Sequence, residues 1–146
     1  MDYKIDDKNL DVSMFISFVN QVWQGNYDVE QTRMALSKTL NITAYDNKKL
    51  VGCLRILSDG YYFGTITELL VLPQYQKQGI GSKLLQLAKD NTPTMLYFGS
   101  QPEAEKFYET CRLGTACNAR CPQMASTQKG SWRQPAQGKR SVPCLI

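Results

Sequence analysis

The residues of this chain best suited to chemistry lie in the stretch Leu72-Pro73-Gln74-Tyr75-Gln76-Lys77-Gln78-Gly79-Ile80-Gly81-Ser82, which carries the spacing Gln76-x-x-Gly79-x-Gly81. An apolar, β-branched run over residues 66–72 enters it, Pro73 stops that run, and a helical pattern leaves it through Leu84, Leu85, Leu87 and Ala88. A helix that opens here leaves backbone N–H groups without intrahelical partners, and the helix dipole gives them partial positive charge. Glycine removes the Cβ that would keep a ligand away from that backbone. An anion such as a pyrophosphate fits this turn, and Lys77 adds a full charge at its rim. The commoner phosphate loops are absent: no Gly-x-Gly-x-x-Gly follows the first strand and no Gly-Lys-Ser/Thr ends the turn. Taken alone, the spacing serves equally well as a plain glycine turn.

Other chemistries are narrowed by what the chain lacks. It has no histidine, which disfavours Ser-His-Asp and Cys-His hydrolases and leaves proton transfer to a carboxylate, Tyr, Lys, Cys or water. Cys53, Cys111, Cys117, Cys121 and Cys144 are an odd set without a Cys-x-x-Cys pair, so they read as reduced thiols and no metal site is expected.

Several elements must position the loop. Residues 9–23 carry Leu10, Met14, Phe15, Phe18, Val19 and Val22 at helical spacing, and Asp28 can cap a second helix through Met34 and Leu36. Residues 42–45 and 50–57 are strand-like around an Asp46-Asn47-Lys48-Lys49 turn, and residues 61–72 form a longer strand after Ser58-Asp59-Gly60. A short strand over residues 94–98 follows the glycine-loop helix, Pro102 opens a helix running to about Cys111, and a first strand is expected around residues 3–5.

The loop, with its strand and helix, resembles motif A of the GCN5-related N-acetyltransferase (GNAT) family, whose signature is Gln/Arg-x-x-Gly-x-Gly/Ala. Further on, Gln101-Pro102-Glu103-Ala104-Glu105-Lys106-Phe107-Tyr108 looks like the family's Asn-x-x-Ala-x-x-Phe-Tyr stretch, with Gln101 where Asn is usual. The element order is also the family's. The resemblance covers about residues 1–113 and implies one α/β domain of the α+β kind, a mixed central sheet flanked by helices with the cofactor between its two central strands. It further implies acetyl transfer from acetyl-CoA to an amine by direct attack on the thioester. A bulged edge around Leu69, Leu70 and Val71 would serve the pantetheine arm and the thioester carbonyl. Gln76 and the N–H groups from Lys77 through Gln78, Gly79, Ile80 and Gly81 to Ser82 would hold the pyrophosphate, and Gln101 would contact the cofactor.

The resemblance makes Tyr108 the general acid for the departing thiolate; without the motif it reads as a core aromatic beside Phe107. Glu68 is the candidate general base because it lies in the long strand beside the proposed acetyl-binding edge, and it reads equally as a salt-bridged strand carboxylate. Relatives with a base on the fifth strand have Leu96 as their counterpart here.

Residues 114–146 differ from the rest. They carry Arg120, Lys129, Arg133, Lys139 and Arg140 and no acids, whereas the preceding residues hold 12 of the 17 cations and all 13 acids. Their Gln, Ser, Gly and Pro content reads as loop or disorder, and Arg112-Leu113 stands where the family has Gly-Phe before closing strands. A divergent ordered end, a basic tail and a frame change in the source all account for this. The scattered charges match no nucleic-acid motif, so nucleic acid is disfavoured as a partner. No apolar run reaches membrane-spanning length and the start is charged, so a cytoplasmic protein is expected. Two functions remain: an N-acetyltransferase acting on a small-molecule or peptide amine, and a catalytically impaired CoA-binding regulatory or interaction module. A homodimer is left open.

Overall fold

Each early helix starts where an aspartate replaces a missing intrahelical partner. In the computed structural model, which describes residues 1–98 and Phe107, the Asp11 carboxylate accepts the Met14 N–H at 2.7 Å and the Asp28 carboxylate accepts the Gln31 N–H at 2.8 Å. These caps set the starts of α1 (Val12–Val22) and α2 (Val29–Ser37), so the first helix is shorter than the 9–23 read from periodicity. The strands are β1 (Asp2–Lys4), β2 (Leu40–Asp46), β3 (Lys49–Ser58), β4 (Phe63–Val71) and β5 (Met95–Tyr97). A 3-10 turn over Pro73–Tyr75 and helix α3 (Ile80–Asn91) join the last two.

Local turn chemistry fixes the strand ends. Asn47 and Lys48 take left-handed φ of 46° and 67°, which closes β2 on β3 in a two-residue hairpin with Asp46 opposite Lys49. The Asp59 carboxylate accepts N–H groups from Tyr61, Tyr62 and Phe63, folding those residues into a turn, so β4 starts at Phe63 rather than residue 61.

The five strands run in the order β1-β2-β3-β4-β5, antiparallel through β4 and parallel between β4 and β5. This bears out the mixed sheet. The parallel register covers only Phe63–Thr65 of β4, opposite Met95–Tyr97, so the rest of β4 lies beyond it.

The registers sort the sheet into two faces. Ile42, Leu54 and Leu69 lie across from one another on one face; Asn41, Arg55 and Glu68, with Thr43, Cys53 and Leu70, lie on the other. Helix α3 covers the first: a Cβ on Gly52, which shares that face with Leu54, would come within 3.1 Å of Ile80 Cγ2 and Leu84 Cδ1. The absence of a side chain at Gly52 is what lets the helix settle there. Helix α1 covers the second, where the Arg55 guanidinium lies 5.6 Å from the centre of the Phe15 ring. Leu54, Leu69, Leu84 and Leu85 are buried on the α3 side, Phe15 and Phe18 on the α1 side. Among the described residues no helix is long and apolar enough to cross a membrane. The helix expected from Pro102 to Cys111 lies outside the described residues except for Phe107, which is helical and packs partly buried against the core. Residues 114–146 lie outside them too.

Candidate active site

Backbone, more than side chains, forms the glycine turn. Gly79 is the N-cap of α3 with φ 81° and ψ 1°, a left-handed conformation that side-chain-bearing residues adopt at a cost, and no side chain caps the helix there. A Cβ at Gly79 would meet nothing within 4 Å, so the angle alone demands glycine and the space beside it is open to a ligand. Lys77 also has positive φ, 59°, a strained value that turns the chain before the helix. The Gln76 amide donates to the Val71 carbonyl at 3.1 Å, tying the turn to the end of β4.

A cleft of about 360 Å³ opens over this turn, lined by Val71, Gln76, Lys77, Gly79, Ile80, Gly81 and Ser82, together with Tyr75 and Phe107. Seven of the residues expected to contact a cofactor therefore meet at one cleft. Gln78 is not in its wall; its amide bonds the Gln74 carbonyl at 3.0 Å. Leu69 and Leu70 are not in the wall either, being buried on opposite faces of the sheet.

Tyr75 was not foreseen. Its hydroxyl donates to Asp46 at 2.9 Å, and the Lys49 ammonium lies 5.9 Å over its ring, so the β2–β3 hairpin holds one wall of the cleft. The hydrogen bond to Asp46 raises the Tyr75 pKa. Sequence offered only its place after Pro73, because the partners lie on another hairpin.

An uncapped helix start, an open glycine and a neighbouring lysine suit a pyrophosphate, and the apolar wall from Val71, Ile80 and Phe107 suits an organic arm. Coenzyme A has both parts.

The bulge in β4 falls short of residues 69–71. Arg55 pairs with Glu68 and Ile56 with Ile66, which leaves Thr67 as the extra residue. Leu69, Leu70 and Val71 are regularly paired with β3, because the α3-facing core needs Leu69 and Val71 in register with Leu54 and Gly52. The extra residue has a second effect: Ile66 faces α3 and Glu68 is shifted to the α1 face, opposite Arg55. There Glu68 Oε1 lies 3.1 Å from Arg55 Nη1, with side-chain exposures of 15% and 14%. Burial raises the Glu68 pKa, and the Arg55 charge opposes that rise.

Beyond this pair the α1 face holds a second polar group. Asp7, buried, accepts from Tyr45 Oη at 2.7 Å and Thr43 Oγ1 at 2.9 Å. Cys53 is fully buried beside Thr43, and burial, then the Glu68 charge, push its thiol well above the usual range. Nothing in the spacing of Asp7 and Tyr45, 38 residues apart, announces this contact. Tyr108 and Gln101 lie outside the described residues.

Comparison with known proteins agrees with this geometry. The model of the acetyltransferase (GNAT) domain matches residues 7–112. A GNAT-family acetyltransferase from Streptococcus pneumoniae is 24% identical, with 88% of this chain and 98% of that one covered at a TM-score of 0.70. An aminoglycoside 6′-N-acetyltransferase complexed with coenzyme A is 18% identical over 68% of this chain and 62% of its own, TM-score 0.55. An aminoglycoside 6′-N-acetyltransferase from Acinetobacter haemolyticus, 13% identical, covers 94% of this chain and 100% of its own at 0.55. None of the curated proteins matches the sequence. At these identities the structures share the fold, and the domain match, over most of the chain and across the glycine turn and the Glu68 strand, shows that the chain belongs to the GNAT acetyltransferase family.

Proposed function

We propose that this acetyl-CoA-dependent enzyme acetylates a primary amine, on a small molecule or a peptide, and that residues 1–113 form the catalytic domain, in the cytoplasm. The observation that carries the reading is the left-handed, uncapped Gly79 turn beside the stretch of β4 that extends past its pairing with β5.

Acetyl-CoA supplies the reactive group, a thioester whose carbonyl carbon an amine can attack. The N–H groups of residues 77–82 and the Lys77 charge hold the pyrophosphate. The Glu68 carboxylate accepts a proton from the substrate ammonium: the N–H bond breaks, an O–H bond forms, and the lone pair is left on nitrogen for attack. A base whose pKa is raised by burial suits this task near neutral pH. Backbone donors of residues 69–71 stabilise the charge developing on the carbonyl oxygen. The freed lone pair forms the C–N bond, Tyr108 gives its phenolic proton to the sulfur as the C–S bond breaks, and the second proton lost by the attacking nitrogen restores the Tyr108 phenol, which leaves amide and thiol neutral; Gln101 contacts the cofactor.

The first test is thermal unfolding with acetyl-CoA. At about 100 times its dissociation constant, a ligand that binds only the folded state adds roughly 2.7 kcal/mol. A cooperative melt that does not move overturns the reading of the cleft. Thiol release is then followed with kanamycin, spermidine and a peptide amino terminus, the first chosen because two structural neighbours are aminoglycoside acetyltransferases. Glu68→Gln is expected to lower kcat by about 10²- to 10⁴-fold; Tyr108→Phe should lower it with acetyl-CoA binding intact. Binding without turnover of any amine would favour a CoA-binding module instead.

A further inference from the structure

Arg55 and Glu68 do not make the contact of a fully satisfied structural ion pair. A buried ion pair offsets its desolvation when further hydrogen bonds occupy the remaining donors and acceptors. Here Arg55 Nε is buried with no hydrogen-bond partner among the described residues, and Glu68 Oε1, also buried, meets Arg55 Nη1 at 3.1 Å in a poorly aligned contact that still acts on the carboxylate. The exposure that Glu68 retains therefore belongs to other atoms of its side chain.

Three contacts fix Arg55 in place. The Phe15 ring of α1 lies 5.6 Å from its guanidinium, the Thr67 hydroxyl donates to its carbonyl at 3.3 Å, and the register sets it across from Glu68. The bulge and the arginine thus work together: Thr67 moves Glu68 onto the α1 face, and Arg55 meets it there.

We propose that Arg55 is a positioning residue for the acetyl transfer, holding Glu68 in one orientation and in its carboxylate form so that it can accept the proton of the incoming ammonium. This rests on the reading of Glu68 as the base. On the same face Asp7, like Glu68, lies near enough to Cys53 to act on its thiol, but it is engaged by Thr43, Tyr45 and Lys4, whereas Arg55 is the cation in contact with Glu68. Helix α1 carries no titratable residue, Thr67 and Leu69 flank Glu68 on its own strand, Cys53 is a buried thiol two residues from Arg55, and β5 contributes Tyr97 alone. Desolvation by itself would favour the protonated acid, which cannot serve as a base; the arginine charge opposes it.

The test follows the Glu68 carboxyl by ¹³C NMR across pH, which needs no acceptor, and the pH profile of kcat/KM with spermidine and phenethylamine. Arg55→Met should raise the Glu68 titration by about one to three pH units, the usual effect of losing an opposite charge at contact distance. The acid limb of kcat/KM should move up by the same amount, with KM for acetyl-CoA unchanged. Arg55→Lys should bring both back toward the wild type. If Arg55→Met does not melt cooperatively, Arg55→Gln is read in the same way. A uniform loss of activity at every pH, or a titration that moves while the limb stays, overturns the positioning role. Wild-type kcat/KM in Glu68→Gln would overturn the base reading itself, a separate outcome.

Discussion

The two faces of the sheet are built from the same three strands but differ in kind. On the α3 face, Ile42, Leu54, Leu69 and Val71 form an apolar floor, and the chemistry at its end comes from backbone: a left-handed glycine and the open N-terminus of a helix. On the α1 face the buried residues include Asn41, Thr43 and Asp7, with Cys53 and the Arg55–Glu68 pair close by, so the chemistry comes from side chains on different strands. The difference lies in what carries the polarity, backbone on one face and side chains on the other. A backbone site needs rigid support and tolerates little polarity beneath it, whereas a side-chain site needs charges held partly out of water, where each must find a partner.

Leu84→Ala should have the greatest effect on stability. The side chain is fully buried under the glycine turn, and such truncations cost about 2–5 kcal/mol. Chemical denaturation measures this, and the assignment of the α3 face as rigid support fails if the cost is below that range.

Asp7→Ala tests the opposite face. It leaves the Thr43 and Tyr45 hydroxyls without their acceptor, at roughly 1–3 kcal/mol for each buried group left unsatisfied. Affinity for CoA, followed by calorimetry, should not change, since Asp7 is not part of the cleft. A weakened affinity would mean that the two faces are coupled.

Gly79→Ala should reverse that pattern. A side-chain-bearing residue in the left-handed region costs about 1–2 kcal/mol, so if the turn relaxes instead, CoA binding should weaken about tenfold. The melting temperature should stay within a few degrees of the wild type.

The smallest effects belong to titration. The raised Glu68 pKa means that the folded state holds this proton more tightly than the unfolded chain. Its contribution to stability is therefore full below the ordinary carboxylate pKa and is lost as pH rises through the folded value. In Glu68→Gln the stability profile should be flatter over that window. Cys53, buried with its thiolate disfavoured, should resist thiol reagents until the protein unfolds, as peptide mapping of the modified protein would show.

The face that works through backbone was the more readable of the two. The Gln76-x-x-Gly79-x-Gly81 spacing places its donors within one turn of chain, so a local pattern and a local conformation coincide. Asp11 and Asp28 likewise act on residues three further along, although only the second was picked out as a cap. The α1 face gave little notice because its partners are distant in sequence: Asp7 reaches Tyr45 and Arg55 meets Glu68, and at the cleft the bond from Tyr75 to Asp46 was hidden for the same reason. Counted from Ile66, alternation along β4 would have put Glu68 on the α3 face. A single extra residue, Thr67, reversed that, and neither its position nor the regular pairing of residues 69–71 is written in the composition of the strand.

Sequence alone was therefore enough for the element order over residues 1–98, the mixed sheet, the glycine turn and the family that turn indicates, since each rests on periodicity, caps and short spacings that act within a few residues. Folding in three dimensions was needed to choose which carboxylate meets which cation, which face Glu68 occupies, and which hairpin supports the cleft over the glycine turn. Those outcomes depend on strand register and on a bulge, and register is set by the packing of the whole sheet between its helices.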